Sequence, residues 1–216
     1  MTKFDKHSSP QLVRAFKGYQ GQEPSAARYI FMGLDANFSS TIEESSIREE
    51  VLEYLSDGVG YWKTWNRHHP FLSRSYEKGS GYRYHLQFSK MGLTSEYADK
   101  ISLVELLSCP TCGTTNYRRF MELLDADYLK RLDSLISSSK SYRSVFIARG
   151  AYRNLFKIGK KYDCFAWLPE PRKFSLNQLY TMDISETLKV HVITHFSDSI
   201  SDEHIAAIKE VILADW

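Results

Sequence analysis

The sequence predicts an α/β protein of three layers, with helices on both faces of a central four-stranded parallel sheet. Four short apolar runs, at residues 29–35, 101–108, 144–149 and 188–195, are typical of buried strands. Segments with apolar residues at helical spacing lie between these runs. Strands that alternate with helices indicate parallel pairing through right-handed crossovers.

The elements follow one another with few gaps. Residues 1–28 are polar and mixed, and we expect an arm or a first helix that packs on the body. Apolar residues repeat with helical spacing at 46–55, 117–136, 151–158 and 202–213, which predicts four helices. The stretch 57–90 has no clean periodicity but too many aromatic residues for disorder, so we expect a functional irregular segment.

Length and composition limit the possible classes of protein. A chain of 216 residues holds one sizeable core, so we expect a single domain over 1–216. The net charge of +2 permits a nucleic-acid partner without requiring one. The three cysteines argue against a disulfide framework, and no apolar run is long enough for a membrane span. The first residues lack a secretory signal, so we expect a cytoplasmic protein that binds no membrane.

Two motifs end the first and last predicted strands. They are Gly33-Leu34-Asp35-Ala36-Asn37 and His195-Phe196-Ser197. Ligands of open α/β sheets bind outside the carboxyl ends of the strands, so both motifs are expected to meet over one pocket. There Asp35 would orient a water and His195 would stabilise developing negative charge. The alternatives are a simple turn at Asp35 and a helix cap by Ser199 or Ser201.

The two motifs resemble the signatures of the uracil-DNA glycosylase superfamily. Those signatures read Gly-Gln-Asp-Pro-Tyr or Gly-x-Asn-Pro-Gly, and His-Pro-Ser-Pro. Gly33 and Asp35 match the first, and His195 and Ser197 match the second. Chain order, motif separation and strand count also agree over residues 29–215. The resemblance implies that fold, and a monomeric enzyme that hydrolyses the N-glycosidic bond of a base flipped out of DNA.

The resemblance also implies roles for the two central residues. Asp35 takes the place of the water-activating carboxylate. His195 takes the place of the histidine that bonds to O2 of the departing base. Neither a metal nor an organic cofactor is implied.

Departures from the family pattern suggest which base is excised. Asn37 replaces a tyrosine that closes the pocket against a C5 substituent, so space at C5 is expected. Glu105 lies where the family reads the base with an asparagine. A carboxylate accepts from N4 of cytosine and repels O4 of uracil, although an ion pair with an Arg or Lys is the alternative.

Together these departures favour a 5-substituted cytosine. Some bacterial members of the superfamily excise glucosylated hydroxymethylcytosine in phage defence, and the chain is compatible with that branch. The alternatives are a uracil or mismatch repair glycosylase, and a catalytically silent nucleic-acid binder on the same fold.

The remaining candidates contact the base or the DNA backbone. Gly33 and Leu34 are expected beside the base, with Phe71 stacking on it and Tyr61 as second choice; an ordinary core is the alternative for both aromatic residues. The expected DNA contacts are Ser197, Ser199, Lys63, Arg67, Arg149 and Arg153, with a solvated helix face as the alternative for the basic helix. Cys109 and Cys112 lack the partners for a four-cysteine zinc site, and we expect a loop that borders the pocket.

Overall fold

The computed structural model describes residues 3–79 and 81–214. In chain order the strands are β1 (Asp5–Lys6), β2 (Tyr19–Gly21), β3 (Tyr29–Gly33), β4 (Ile101–Glu105), β5 (Thr111–Cys112), β6 (Arg143–Ala148), β7 (Tyr180–Asp183) and β8 (Leu188–Ile193). The α-helices are α1 (Pro10–Ala15), α2 (Arg48–Ser56), α3 (Gly58–Trp65), α4 (Tyr82–Ser89), α5 (Tyr117–Leu123), α6 (Ala126–Ser137), α7 (Arg149–Tyr162) and α8 (Asp202–Ala214). Short 3₁₀ turns lie at Ile42–Glu44, Pro70–Leu72 and Ser95–Tyr97.

The centre of the fold is a mixed sheet with the strand order β2-β4-β3-β6-β8-β7. Its four inner strands run parallel, and they are the four that the sequence predicts. The edges differ from the prediction, because β2 and β7 add antiparallel strands to β4 and β8. β2 has three residues and β7 has four, which is too short for periodicity to reveal them.

Helices cover both faces of the sheet, which confirms the α/β class. Alternate residues along β3 enter different cores: Ile30 and Met32 pack with α5, α6 and α7, whereas Tyr29 and Phe31 pack with α3, α4 and α8. A third cluster joins α1, α2 and α3. Within the described part of the chain, every helix is too short or too polar to cross a lipid bilayer.

Two predicted segments have a different structure. The expected helix at 117–136 is two helices, because Leu124 is extended and Asp125 caps α6 by accepting from the amides of Asp127 and Tyr128. The expected irregular stretch at 57–90 contains α3 and α4. Asp57 caps α3 through a 2.8 Å bond from the Gly60 amide. Each of these helices has eight residues, which is too few for a clear apolar repeat.

The first 28 residues combine short elements. Residues 1 and 2 lie outside the described residues, and α1, β1 and β2 account for fewer than half of the rest. β1 pairs with β5, and β2 pairs with β4, so this segment joins the body through strands as well as through α1.

Candidate functional site

A pocket of about 490 Å³ opens at the carboxyl ends of the parallel strands. Asp35 follows β3 by two residues, His195 follows β8 by two residues, and both line this pocket. Since β6 lies between β3 and β8, the two strand ends are about 10 Å apart. The fold therefore brings the two motif residues to one cavity with room for a ring between them.

The Asp35 carboxylate is held by hydroxyl and amide donors. Thr111 Oγ1 donates to Oδ2 at 2.6 Å, and Asn37 Nδ2 lies 3.3 Å from the same oxygen. Oδ1 has only a 3.5 Å bond from the hydroxyl of Thr115. The bonds to Oδ2 fix the orientation of the carboxylate, and Oδ1 keeps lone pairs with which it can accept from a water.

A loop after β4 brings Thr111 to Asp35. The Thr111 amide donates to the carbonyl of Ala36 and the Phe38 amide donates to the carbonyl of Thr111, each at 2.9 Å. β5 is fixed from the other side by its pairing with β1. The loop that contains both cysteines thus borders the pocket and supports its carboxylate.

The thiols of this loop are buried and reduced. Cys109 and Cys112 are free, and burial raises the pKa of each thiol. Among the described residues no cluster of three or more His, Cys, Asp or Glu side chains could hold a metal ion.

His195 is held as a neutral donor. The backbone amide of Ser197 donates to Nδ1 at 3.1 Å, which assigns the proton of the neutral ring to Nε2. Burial lowers the pKa of His195, and the nearby Asp198 and Asp35 only partly oppose this effect. The ring can therefore donate from Nε2 to an oxygen on which negative charge develops. The alternative role for this segment is also present, because Ser201 Oγ accepts from the His204 amide in the first turn of α8.

Burial favours the neutral form of Glu105 in this pocket. It raises the pKa of the carboxyl group well above the usual range, and the charge of Asp35 raises it further. Oε2 is buried and has no hydrogen-bond partner among the described residues, so the alternative role in an ion pair is not found. The role of a charged carboxylate toward the base stays a prediction, and desolvation opposes it because it favours the protonated form. A protonated Glu105 can donate one hydrogen bond and accept another.

A polar wall lies on the β2 side of the pocket, and sequence reasoning did not place Gln20 or His85 in it. Gln20, His69 and His85 line it, and all three are buried. His69 and His85 stack with ring centroids 3.5 Å apart and an interplanar angle of 8°. The adjacent histidines 68 and 69 were the available signal, but nothing local in the sequence shows their pairing with Gln20 and His85.

The predicted base-binding residues divide into two groups. Gly33, Leu34, Asn37, Phe71 and Glu105 line the pocket, and so does Ser197, which is predicted as a DNA contact. Tyr61 does not: it is 1% exposed, donates to Glu50 at 2.9 Å and accepts from Arg67, so its predicted stacking role is corrected. Asn37 lines the pocket and its amide also donates to the Gly113 carbonyl at 2.8 Å, while the expected space at C5 stays a prediction.

The predicted DNA-contacting cations lie outside the pocket. Arg67 pairs with Glu50 and Lys63 pairs with Asp99 at 3.1 Å, so both are already neutralised within the fold. Arg149 and Arg153 lie in the first turns of α7, and Ser199 is exposed before α8. Each of these three residues is the sequence neighbour of a residue that lines the pocket. Those lining residues are Gly150, Asn154 and Asp198, respectively.

These features were compared with known proteins. No protein-family model, no curated protein and no solved structure matches the chain.

Proposed function

We propose that the protein is a DNA glycosylase that hydrolyses the N-glycosidic bond of a 5-substituted cytosine and leaves an abasic site. The observation that carries this proposal is the pairing of Asp35 and His195 over one pocket. One is an oriented carboxylate whose Oδ1 accepts only a long bond from Thr115 among the described residues, and the other is a neutral ring that carries its proton on Nε2. Hydrolysis of a glycosidic bond needs both kinds of group on opposite sides of the breaking bond.

The reaction divides between the two residues. As the bond between C1′ and the base N1 breaks, its electron pair moves into the base, and the sugar becomes oxocarbenium-like. His195 donates from Nε2 to O2 of the base, where part of the negative charge accumulates. Asp35 orients a water toward C1′ and accepts its proton as the new C–O bond forms. The base anion then takes up a proton, so atoms and charge balance.

Glu105 supports recognition of the base edge. A protonated carboxyl group can donate to N3 of cytosine and accept from its N4 amine. The same group can also pair with uracil, if it accepts from N3 and donates to O4. Matched cytosine and uracil derivatives must therefore be compared to identify the base. Shape and the polar wall on the β2 side, rather than charge, then carry the preference for a 5-substituted base.

The test is strand cleavage at abasic sites. The protein is incubated with duplex and single-stranded oligonucleotides that carry cytosine, uracil, 5-hydroxymethylcytosine or its glucosylated form, and alkali then cuts wherever a base was lost. We expect cleavage at a substituted cytosine, and its loss in Asp35→Asn but not in Asp183→Asn, which removes an exposed carboxylate of β7. Tight binding by the wild type without cleavage would instead identify a silent binder.

A further inference from the structure

We propose that Gln20 and His85 form a subsite for a neutral, hydroxyl-bearing substituent on C5 of the base. This inference rests on the proposed function and extends it by naming the residues that read the substituent.

The volume of the pocket exceeds what one base needs. Cavities of about 300–1,000 Å³ hold drug-sized ligands, and this pocket has about 490 Å³. A pyrimidine between His195 and Glu105 would occupy only the part near β3, β4 and β8. Part of the remaining space lies beside β2, where Gln20, His69 and His85 line the pocket, and a further part of the substrate can occupy it.

Strand order gives the direction of that remaining space. His195 follows β8, Asp35 follows β3, Glu105 ends β4, and Gln20 lies on β2, so the four follow one another across the sheet. With O2 at His195 and N4 at Glu105, the substituent on the neighbouring C5 continues past β4 toward β2. Gln20 pairs with Leu103, and Leu103 and Glu105 are two residues apart, so all three share one face.

The hydrogen bonds of Gln20 leave donors for a ligand. The Phe71 amide donates to His69 Nδ1 at 3.2 Å, so His69 carries its proton on Nε2. That proton is donated to Gln20 Oε1 at 3.0 Å, which fixes the orientation of the amide. The amide nitrogen of Gln20 has no hydrogen-bond partner among the described residues, although the side chain is 6% exposed and lines the pocket.

His85 supplies the second polar group. Its Nδ1 lies 3.2 Å from His68 Nε2, and its ring stacks on His69. Burial lowers the pKa of both His68 and His85, so the pair is neutral and shares one proton along this bond. Nε2 of His85 therefore serves as donor or acceptor according to the tautomer, which suits a hydroxyl group that can do either.

The charge of the wall selects the class of ligand. Neither Lys nor Arg is among the described residues that line the pocket, and the histidines of the wall are neutral. A phosphate or carboxylate would find no positive partner there. A methyl group would leave the buried amide of Gln20 and imidazole of His85 without hydrogen-bond partners. Binding would then be weaker, because unpaired buried polar groups cost free energy. A neutral polyol satisfies both groups.

The test compares kcat/KM for duplexes that carry glucosylated 5-hydroxymethylcytosine or 5-methylcytosine at one position. Gln20→Leu and His85→Phe should lower the ratio of the first to the second by about tenfold or more, the scale of one lost buried hydrogen bond. Gln178→Leu is the matched control, since this glutamine is exposed and bonds to Tyr180 outside the pocket, and the ratio should not change. Thermal unfolding of each variant confirms that it is folded.

A second readout does not depend on turnover. The affinity of Asp35→Asn for the same two duplexes should favour the glucosylated one, and adding Gln20→Leu should remove that preference. An unchanged ratio in both readouts overturns the subsite while cleavage by the wild type upholds the glycosylase. Absence of any cleavage by the wild type, with the binding preference intact, overturns the glycosylase and supports the subsite.

Discussion

The carboxyl group of Glu105 lies over Gly33, its register partner on β3. A Cβ at residue 33 would lie 3.0 Å from Glu105 Cδ and closer still to Oε2, so any other residue there would displace the Glu105 carboxyl group. The first motif and Glu105 are thus one packed unit.

Gly33→Ala should displace the Glu105 carboxyl group and impair recognition of the base. We expect kcat/KM to fall by about tenfold or more, the scale of a lost base contact, with loss of stability from overpacking of about 1–3 kcal/mol. Gly150→Ala is the matched control: it also lines the pocket, but nothing lies within 4 Å of the added Cβ. Equal effects of the two variants on kcat/KM would contradict the packing argument.

Glu105→Gln should stabilise the fold, and increasingly so at higher pH. The pKa of Glu105 is raised above its ordinary value of 4.5, so above pH 4.5 the folded state holds a proton that the unfolded state has released. This linkage lowers stability as the pH rises toward the folded pKa, and glutamine removes it. Urea unfolding should show a higher free energy of unfolding for Glu105→Gln than for the wild type at pH 8, and no difference at pH 4. An increase of equal size at both pH values would contradict the raised pKa of Glu105.

Asp35→Asn should lower single-turnover excision by about 100-fold or more, the usual scale of a general base. Thr111→Val should cost less, because the carboxylate remains and only its 2.6 Å bond is lost. Thr115→Val is the control, since its bond is 3.5 Å long. A loss in Thr115→Val as large as in Thr111→Val would remove the orienting role of Thr111.

His195→Ala should lower excision by a factor comparable to Asp35→Asn, because the base anion loses its donor. His195 acts as a neutral ring, and burial holds its pKa below the ordinary value of 6.5. Excision that depends on this group should therefore persist as the pH falls below 6.5. A rate profile that declines with a midpoint at 6.5 would show that the ring is not shielded.

The buried histidines should make the fold sensitive to acid. Burial lowers the pKa of His68 to about 3 and the pKa values of His69 and His85 well below 6.5. Between these values and 6.5 the unfolded state binds more protons, so stability is complete above pH 6.5 and is lost as the pH falls below it. Urea unfolding at several pH values from 7.5 to 4 measures how steeply the free energy of unfolding falls with pH. His68→Phe should make this fall less steep. An equally steep fall in both proteins would show that His68 does not contribute to the acid sensitivity.

The sequence predicts the strands and the motif residues, because these depend on local pattern. Asp35 and His195 end long apolar runs, and parallel strands place such ends together. The sequence could not predict Thr111, Gln20 or His85 at the site, since each arrives through tertiary contacts. The bond of Asn37 to the Gly113 carbonyl could not be predicted either, because the fold brings these distant positions together.

The pairing of β1 with β5 has a consequence for the order in which the protein folds. Asp5 opposes Cys112 in that ribbon, Arg119 bonds to Asp5 at 2.8 Å, and Thr111 reaches back 76 positions to Asp35. Contacts between such distant positions form only after long loops have closed, whereas single helices form on their own. The surroundings of Asp35 are therefore assembled late, from chain segments that are already compact. A nascent chain would acquire its core before this candidate site, and the Thr111 amide should gain protection from hydrogen exchange after the amides of α7.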